Sequence, residues 1–311
     1  MHTLLILSKH ASDYHRLVEA AQLPDLAIVS GSALADTPSA ATCDVVLGEP
    51  SLIAPALTTL AAVRWVQSTW AGVEPLVQPG LRRDYVLTNA RGVFGPQMSE
   101  YVFGCMLARE RRMAEQRQAQ AMRRWDQTPP GTLRGKWLGL LGVGSIGAAL
   151  ARTAKHFGMR VKGYTRASEE CADVDAYFHG DDIVAFARDL DYLVSIVPNT
   201  RETRGIVNAR LLAALPPRAV FINPGRGSAV DEAALVDALS AGRIAAAVLD
   251  VFQTEPLPPD HPLWQMPNVV VTFHTAALSA PEEIAPLFIE NYRRYVAGEP
   301  LKYVVDFEAE Y

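Results

Sequence analysis

Short apolar runs alternate with helix-length segments along almost the whole chain. This alternation predicts parallel sheets covered on both faces by helices, because strands buried on both sides need no polar face. A first set of predicted strands lies at residues 3–8, 26–30, 44–48, 64–68 and 85–89. A second set lies at residues 137–141, 159–164, 191–197, 218–222, 244–250 and 269–273. We therefore predict an α/β fold with two doubly wound parallel sheets.

Two long helical segments are predicted between and after these sets. The first begins at Pro96 and continues to about Trp125, before the breaker Pro129-Pro130-Gly131. The second runs from about residue 281 to 296 and could carry the chain back to the first sheet. The prediction is a discontinuous domain of residues 1–97 and 282–311, a second domain of residues 98–281, and a cleft between them.

Length and composition agree with two ordinary globular domains. The chain has 311 residues, 49% hydrophobic and 20% charged, with a formal net charge of -5. Single cores stop growing at roughly 250 to 300 residues, so about two domains are expected. We expect no nucleic-acid partner, because neutralising phosphates requires clustered Lys and Arg that a mildly acidic chain lacks.

Cysteine usage and hydropathy predict a cytoplasmic protein without a membrane segment. Cys43, Cys105 and Cys171 are odd in number and too far apart to form a disulfide framework or a metal cluster. The short apolar N-terminus reads as a first strand rather than a secretory signal. The longest uncharged run, residues 137–151, is too short to span a bilayer.

A glycine motif lies directly after the first strand of the second set. Gly142, Gly144 and Gly147 stand in Leu-Leu-Gly-Val-Gly-Ser-Ile-Gly, between an apolar run and a helix-like segment. At this spacing glycines allow a sharp turn, a close approach to a pyrophosphate and tight packing of the helix on the strand. The motif predicts that residues 98–281 bind a dinucleotide.

The end of the next strand predicts which dinucleotide is preferred. An NAD-binding domain places an acidic residue about 20 positions beyond the first glycine, whereas this chain has Thr165 followed by Arg166. The missing acid removes repulsion of a 2′-phosphate, and a guanidinium can donate charge-assisted hydrogen bonds to it. We predict NADP(H) as the preferred cofactor, with NAD(H) possible.

Three ionisable side chains of different types follow three later strands. Arg226 lies in a glycine-flanked turn, Glu255 follows the run that ends in Asp250, and His274 follows a valine-rich strand. Ligands of open parallel sheets bind at the carboxyl ends of the strands, so these groups are expected at one rim. The set predicts a catalytic site.

These residues resemble the D-isomer-specific 2-hydroxyacid dehydrogenases, and within them the NADP-dependent glyoxylate and hydroxypyruvate reductases. The resemblance runs from residues 66–73 through residues 95–101 and the glycine motif to residues 304–307. It implies a Rossmann nucleotide domain, a flavodoxin-like substrate domain formed by residues 1–97 and 282–311, and a homodimer that acts on a small-molecule 2-oxo or 2-hydroxy acid.

The resemblance also implies roles for individual residues. Arg226, Glu255 and His274 match the catalytic residues, with Arg226 also holding substrate, and Asp250 matches an acid that orients the nicotinamide carboxamide. Backbone N–H groups of Ala71 and Gly72 match a loop that holds the substrate carboxylate. The remaining implied cofactor contacts are Ser145, Ile146 and Pro198.

The chain departs from the family pattern near the site. Phe273 stands where proline commonly precedes the histidine, and Pro224-Gly225 replaces small polar residues after Asn223. Trp70, beside the carboxylate loop, either lines the pocket or packs in the core. Trp125 either reaches a second subunit or ends a solvent-facing helix.

The expected reaction is reduction of a 2-oxo acid, with hydride from the nicotinamide and a proton from His274. Glu255 would favour the charged imidazolium, and Arg226 would clamp the substrate carboxylate. The alternative is a redox-sensing, corepressor-like protein that binds the dinucleotide without turnover. No long polar extension is evident, which favours the enzyme. Formate oxidation is disfavoured, since related formate enzymes pair their histidine with a neutral amide.

Overall fold

The computed structural model describes residues 1–309, which divide into two compact units. The first unit comprises Met1–Val93 together with the C-terminal segment from Ser279, and the second unit comprises Phe94–Leu278. Which unit binds the substrate stays a prediction. No helix in the described part of the chain is long and apolar enough to cross a membrane.

The strands and helices alternate throughout the chain. The strands are β1 (His2–Leu7), β2 (Leu26–Gly31), β3 (Val45–Gly48), β4 (Trp65–Ser68), β5 (Val86–Thr88), β6 (Trp137–Leu141), β7 (Arg160–Tyr164), β8 (Ala176–Phe178), β9 (Tyr192–Ser195), β10 (Val220–Asn223), β11 (Ala246–Leu249) and β12 (Val269–Val271). The α-helices are α1 (Ala11–Ala20), α2 (Pro50–Ala56), α3 (Gly95–Glu110), α4 (Met113–Ala121), α5 (Ser145–His156), α6 (Ile183–Ala187), α7 (Ala209–Ala214), α8 (Glu232–Ser240) and α9 (Pro281–Ala297).

The first unit contains a five-stranded sheet in the order β2-β1-β3-β4-β5. Every neighbouring pair is parallel, and the order reverses beside β1, as in flavodoxin-like folds. α9 belongs to this unit, because Phe288 of α9 stacks on Trp65 of β4 with ring centroids 5.2 Å apart. The C-terminal helix is therefore part of the core built by the N-terminal residues.

The second unit contains a seven-stranded parallel sheet in the order β12-β11-β10-β9-β6-β7-β8. Side chains alternate between its two faces: Leu138 and Leu140 pack in one hydrophobic cluster and Leu141 in the other. Both faces are therefore buried, which requires the uninterrupted apolar strands seen in the sequence. The strand order reverses between β6 and β9, the place where a doubly wound sheet binds its ligand.

The predicted fold class is confirmed, and two details of the secondary structure were wrong. β8 was not predicted, because its three residues form a half-buried edge strand with little apolar signal. The long helix predicted from Pro96 to Trp125 is two helices. It breaks at Arg112, which has a left-handed φ of 56°, and the Gly131 N–H bonds the Glu110 carbonyl at the end of α3. The segment at Gly131 thus supplies the hydrogen-bond donor that a carbonyl at the end of α3 lacks within the helix.

Candidate active site

The turn between β6 and α5 carries the predicted glycine motif. Gly142 has a φ of +102°, a conformation that other residues rarely adopt. Gly147 is packed so closely that an added Cβ would lie 2.5 Å from the Gly142 carbonyl oxygen. These two glycines let α5 start directly on the end of β6.

The start of α5 has the form of an anion site. Gly144 is the N-cap residue, and no side chain caps the first turn. A Cβ built on Gly144 would meet nothing within 4 Å, so the space beside the turn is open. The N–H groups at Ser145 and Ile146 and the helix dipole stay available to an anion. This uncapped cradle fits the pyrophosphate of a dinucleotide.

The loop after β7 lies where the sugar of the adenosine would be recognised. The Thr165 hydroxyl donates to the Ser168 carbonyl at 2.7 Å, and Arg166 is exposed. Hydrogen bonds to its own backbone and to Thr200 lower the pKa of Glu202, and the nearby Arg166 lowers it further. The loops after β7 and β9 therefore carry opposite charges that interact, Arg166 on the first and Glu202 on the second.

Pro198 lies in the second of these loops. Its carbonyl accepts a hydrogen bond from the Thr203 hydroxyl, which fixes the first turn after β9. Its predicted contact with the cofactor stays a prediction.

Glu255 and His274 form a hydrogen-bonded pair. The Glu255 Oε2 atom lies 2.8 Å from the His274 Nδ1 atom, and Oε1 accepts the Phe252 backbone N–H at 2.9 Å. Because a carboxylate only accepts, Nδ1 must carry the proton that bridges them. The opposite ring nitrogen, Nε2, is left to act on a ligand, and the His274 side chain is 56% exposed.

Asp250 organises the segment that carries His274. Its carboxylate is buried and accepts three hydrogen bonds, from the Thr272 hydroxyl and from the backbone N–H groups of Thr275 and Ala276. Its own carbonyl accepts the His274 N–H at 2.8 Å. This scaffolding role was missed from the sequence, where Asp250 was expected only to orient the nicotinamide.

A buried tyrosine extends this network. The Tyr101 hydroxyl of α3 lies 2.8 Å from the Thr272 hydroxyl, which itself donates to Asp250. Burial raises the pKa of Tyr101, so it remains a neutral donor. Nothing in the sequence signals this contact, since Tyr101 and Thr272 are 171 positions apart.

Arg226 lies in a turn packed against the Glu255 loop. Asn223, at the end of β10, holds this turn by donating to the Arg226 carbonyl at 3.0 Å. An added Cβ on Gly227 would lie 1.9 Å from the Phe252 carbonyl carbon, so the two backbones are in direct contact. The turn of Arg226 and the loop of Glu255 and His274 thus share the carboxyl ends of β10, β11 and β12, which are neighbours in the sheet.

The predicted carboxylate loop lies in the first unit. It follows β4, where the Ser68 hydroxyl bridges the Trp70 N–H and carbonyl, both at 2.9 Å. The Asn89 side chain donates to the Ala71 carbonyl at 2.9 Å. The N–H groups of Ala71 and Gly72 have no hydrogen-bond acceptor within residues 1–309. Trp70 is 36% exposed, so simple core packing does not describe it.

Comparisons with known proteins place this architecture in a family. The sequence model of a protein family, D-isomer specific 2-hydroxyacid dehydrogenase, NAD binding domain, matches residues 103–276. The glyoxylate/hydroxypyruvate reductase A of Serratia proteamaculans is 36% identical over 259 residues, which cover 80% of this chain and 82% of that protein.

Solved structures agree over almost the full length. A D-isomer specific 2-hydroxyacid dehydrogenase family protein from Aeromonas salmonicida superposes with a TM-score of 0.94 at 42% identity, covering 98% of this chain and 99% of its own. The D-isomer specific 2-hydroxyacid dehydrogenase of Xanthobacter autotrophicus, solved with NADPH and MES, has a TM-score of 0.90 at 34% identity and covers 100% of this chain and 99% of its own.

The matched residues 103–276 contain the glycine turn, the Glu255–His274 pair and Arg226. The resemblance inferred from the sequence is therefore confirmed. The chain belongs to the D-isomer specific 2-hydroxyacid dehydrogenase family, whose enzymes interconvert 2-hydroxy and 2-oxo acids with a nicotinamide cofactor.

Proposed function

We propose that this protein uses NADPH to reduce a small 2-oxo acid, glyoxylate or hydroxypyruvate, to the D-2-hydroxy acid. The observation that carries the proposal is the 2.8 Å contact between Glu255 and His274, which leaves Nε2 of the histidine available to a ligand. The name of the Serratia relative supports the choice of substrates.

His274 would give the proton to the carbonyl oxygen. With Nδ1–H bonded to Glu255, a second proton on Nε2 makes the ring an imidazolium whose positive charge the carboxylate stabilises. The Phe252 N–H holds Glu255 in place, so the pair is preorganised before a ligand binds. The nicotinamide, when bound, supplies the hydride.

Arg226 would bind and polarise the substrate. Its guanidinium is permanently charged and planar, so it can pair with a carboxylate and stabilise a developing oxyanion. The Ala71 and Gly72 N–H groups are proposed to bind the substrate carboxylate, and Trp70 to limit the size of its side chain.

The preference for NADPH rests on the loop after β7. Thr165 and Arg166 occupy the place of the acid that would repel a 2′-phosphate. The Xanthobacter structure was solved with NADPH, which agrees with this choice. NADH is expected to serve as a weaker substitute.

A homodimer in the cytoplasm completes the proposal. Trp125 and Met122 are 88% and 62% exposed, an apolar surface that a second copy would cover. The three cysteines are free thiols, as a reducing compartment requires. Light scattering and cell fractionation test these two points.

The deciding experiment measures oxidation of NADPH and NADH with a panel of 2-oxo acids. We expect turnover with glyoxylate and hydroxypyruvate, and a loss of about 10² to 10⁴ in kcat for His274→Ala with cofactor affinity nearly intact. His261→Gln is the matched control, because His261 lies 3.5 Å from Glu232 in a second histidine–glutamate pair. Tight NADPH binding without turnover on any acid would instead favour the corepressor-like alternative.

A further inference from the structure

His179, the residue after β8, contacts two residues near the start of the loop that follows β7. Its Nδ1 atom lies 3.0 Å from the Thr165 carbonyl oxygen and 3.1 Å from the Thr165 hydroxyl. Its Nε2 atom lies 2.8 Å from Oε1 of Glu169. The ring therefore spans the loop from Thr165 to Glu169, with Arg166 between them.

The partners of His179 define its protonation state. A carbonyl and a carboxylate are acceptors only, and the Thr165 hydroxyl already donates to the Ser168 carbonyl. A neutral imidazole carries one N–H and can satisfy one of the two ring contacts, whereas the imidazolium satisfies both. These contacts therefore favour the doubly protonated ring.

The charges around His179 act in the same direction. The hydrogen bond to Glu169 raises the pKa of His179, the Thr165 carbonyl raises it further, and the charges of Glu169 and Asp182 add to the effect. Tyr177 stacks parallel to the ring at 6.4 Å, and Asp181 lies in the same turn as Asp182. On the loop itself, Arg166 is the basic residue beside Thr165.

We propose that protonated His179 determines specificity for the phosphorylated cofactor by neutralising Glu169 beside the 2′-phosphate site of Arg166. This inference rests on the proposed use of NADPH. Glu169 is an acid four positions beyond Thr165, and left unpaired it would repel the phosphate that Arg166 attracts. With the imidazolium in contact, the pair carries no net charge and the loop keeps one conformation.

The proposal predicts how cofactor preference changes with pH. A phosphate monoester has its second pKa near about 6, so the 2′-phosphate is a dianion from pH 7 to 9. Hydrogen bonding to Glu169 raises the pKa of His179, and the ring loses its proton as pH rises through that raised pKa. The pair then changes from neutral to a single negative charge, and affinity for NADP⁺ falls while affinity for NAD⁺ does not.

The test is calorimetric binding of NADP⁺ and NAD⁺ at pH 7 and pH 9, expressed as the ratio of their dissociation constants. For the unmodified protein we expect the preference for NADP⁺ to fall by about three- to tenfold between the two pH values, as for one charge acting on a dianion across partly screened solvent. His179→Gln should show the low preference at both pH values. Glu169→Gln should show the high preference at both.

Two further variants separate the possible failures. Arg166→Ala must lower the preference for NADP⁺ if the proposed phosphate site is correct, whatever His179 does. His156→Gln, at the exposed end of α5, removes a histidine elsewhere on the same unit and should match the unmodified protein. If Arg166→Ala lowers the preference and His179→Gln does not, the role of His179 is wrong and the phosphate site stands. If Arg166→Ala changes nothing, the proposed site itself is wrong.

A second readout detects the charge directly. Titration of the His179 ring by NMR should show its pKa rising on addition of NADP⁺ and staying constant on addition of NAD⁺, because linkage between the two sites is reciprocal. A histidine that only held the loop in shape would respond equally to both dinucleotides, and that result would overturn the proposal.

Discussion

Replacing Gly144 with serine should separate stability from cofactor binding. Serine is a good N-cap residue, and the start of α5 has no side-chain cap. The serine hydroxyl would therefore accept a hydrogen bond from one of the unpaired N–H groups of the first turn. Nothing lies within 4 Å of the added Cβ, so no clash opposes it. We expect the free energy of unfolding to rise by about 0.2 to 0.5 kcal/mol.

The same substitution should weaken dinucleotide binding. The serine side chain would occupy the open cradle and take an N–H group that a pyrophosphate would otherwise bind. Losing one or two hydrogen bonds to a charged group costs about 1.5 to 3 kcal/mol each, so the dissociation constant should rise by at least about tenfold. Fluorescence titration with NADPH and thermal unfolding without it measure the two effects.

Gly104→Ala is the matched control for this pair of measurements. Gly104 lies inside α3 with nothing within 4 Å of an added Cβ, so alanine should stabilise the helix by about 0.5 to 1 kcal/mol and leave NADPH affinity unchanged. A Gly144→Ser variant that bound NADPH within twofold of the original protein would refute the assignment of this helix start as the pyrophosphate site.

Four further outcomes follow from the contacts described above. Thr272→Val removes a donor to buried Asp250 and should lower kcat by about 5- to 100-fold while NADPH affinity stays within twofold, as steady-state kinetics and titration would show. Gly227→Ala pushes the Arg226 turn away from the Phe252 backbone. It should lower the free energy of unfolding by about 1 to 3 kcal/mol, measured in urea, and remove most of the activity. Asn208 caps α7, since its side chain accepts hydrogen bonds from the Arg210 and Leu211 N–H groups. Asn208→Ala should lower the free energy of unfolding by about 0.5 to 2 kcal/mol, as urea unfolding would show. Burial would raise the pKa of Asp175, but hydrogen bonds from Lys155 and from the Val161 N–H outweigh burial and hold that pKa below its usual value. The stabilising effect of the Asp175 carboxylate is therefore present above the unfolded pKa of about 3.9 and is lost as pH falls through the lowered pKa of the folded state. Asp175→Asn should flatten that part of an acid unfolding curve.

Strands and their ends were readable in the sequence because the signal is local. A buried parallel strand is a continuous apolar run, and Asn223, Asp250 and Thr272 mark where three such runs stop. Since parallel strands end at one edge, the position of Arg226, Glu255 and His274 at one rim of the sheet was predictable from the strand ends. The glycine turn was readable for the same reason, because its geometry depends on residues five positions apart.

Contacts between distant segments were not readable. The break at Arg112 depends on Gly131 reaching the end of α3, and the Tyr101–Thr272 contact depends on how α3 packs beside β12. The link between His179 and Glu169 needed the position of β8, a strand too short and too exposed to leave an apolar pattern. In each case a single contact joins two segments that are far apart in sequence and are brought together only by the folded structure.

The position of His274 shows how such contacts support the chemistry. The residue has a φ of 55°, a left-handed conformation that costs about 1 to 3 kcal/mol outside glycine and persists only where surrounding contacts enforce it. Here the enforcement comes from Asp250, whose carbonyl accepts the His274 N–H and whose carboxylate accepts three further hydrogen bonds from the same segment. Burying that carboxylate is itself unfavourable unless its oxygens are satisfied, so Asp250 and the turn stabilise each other. The imidazole is thereby fixed against Glu255, which is the preorganisation that the proposed proton transfer from His274 to a developing oxyanion would require.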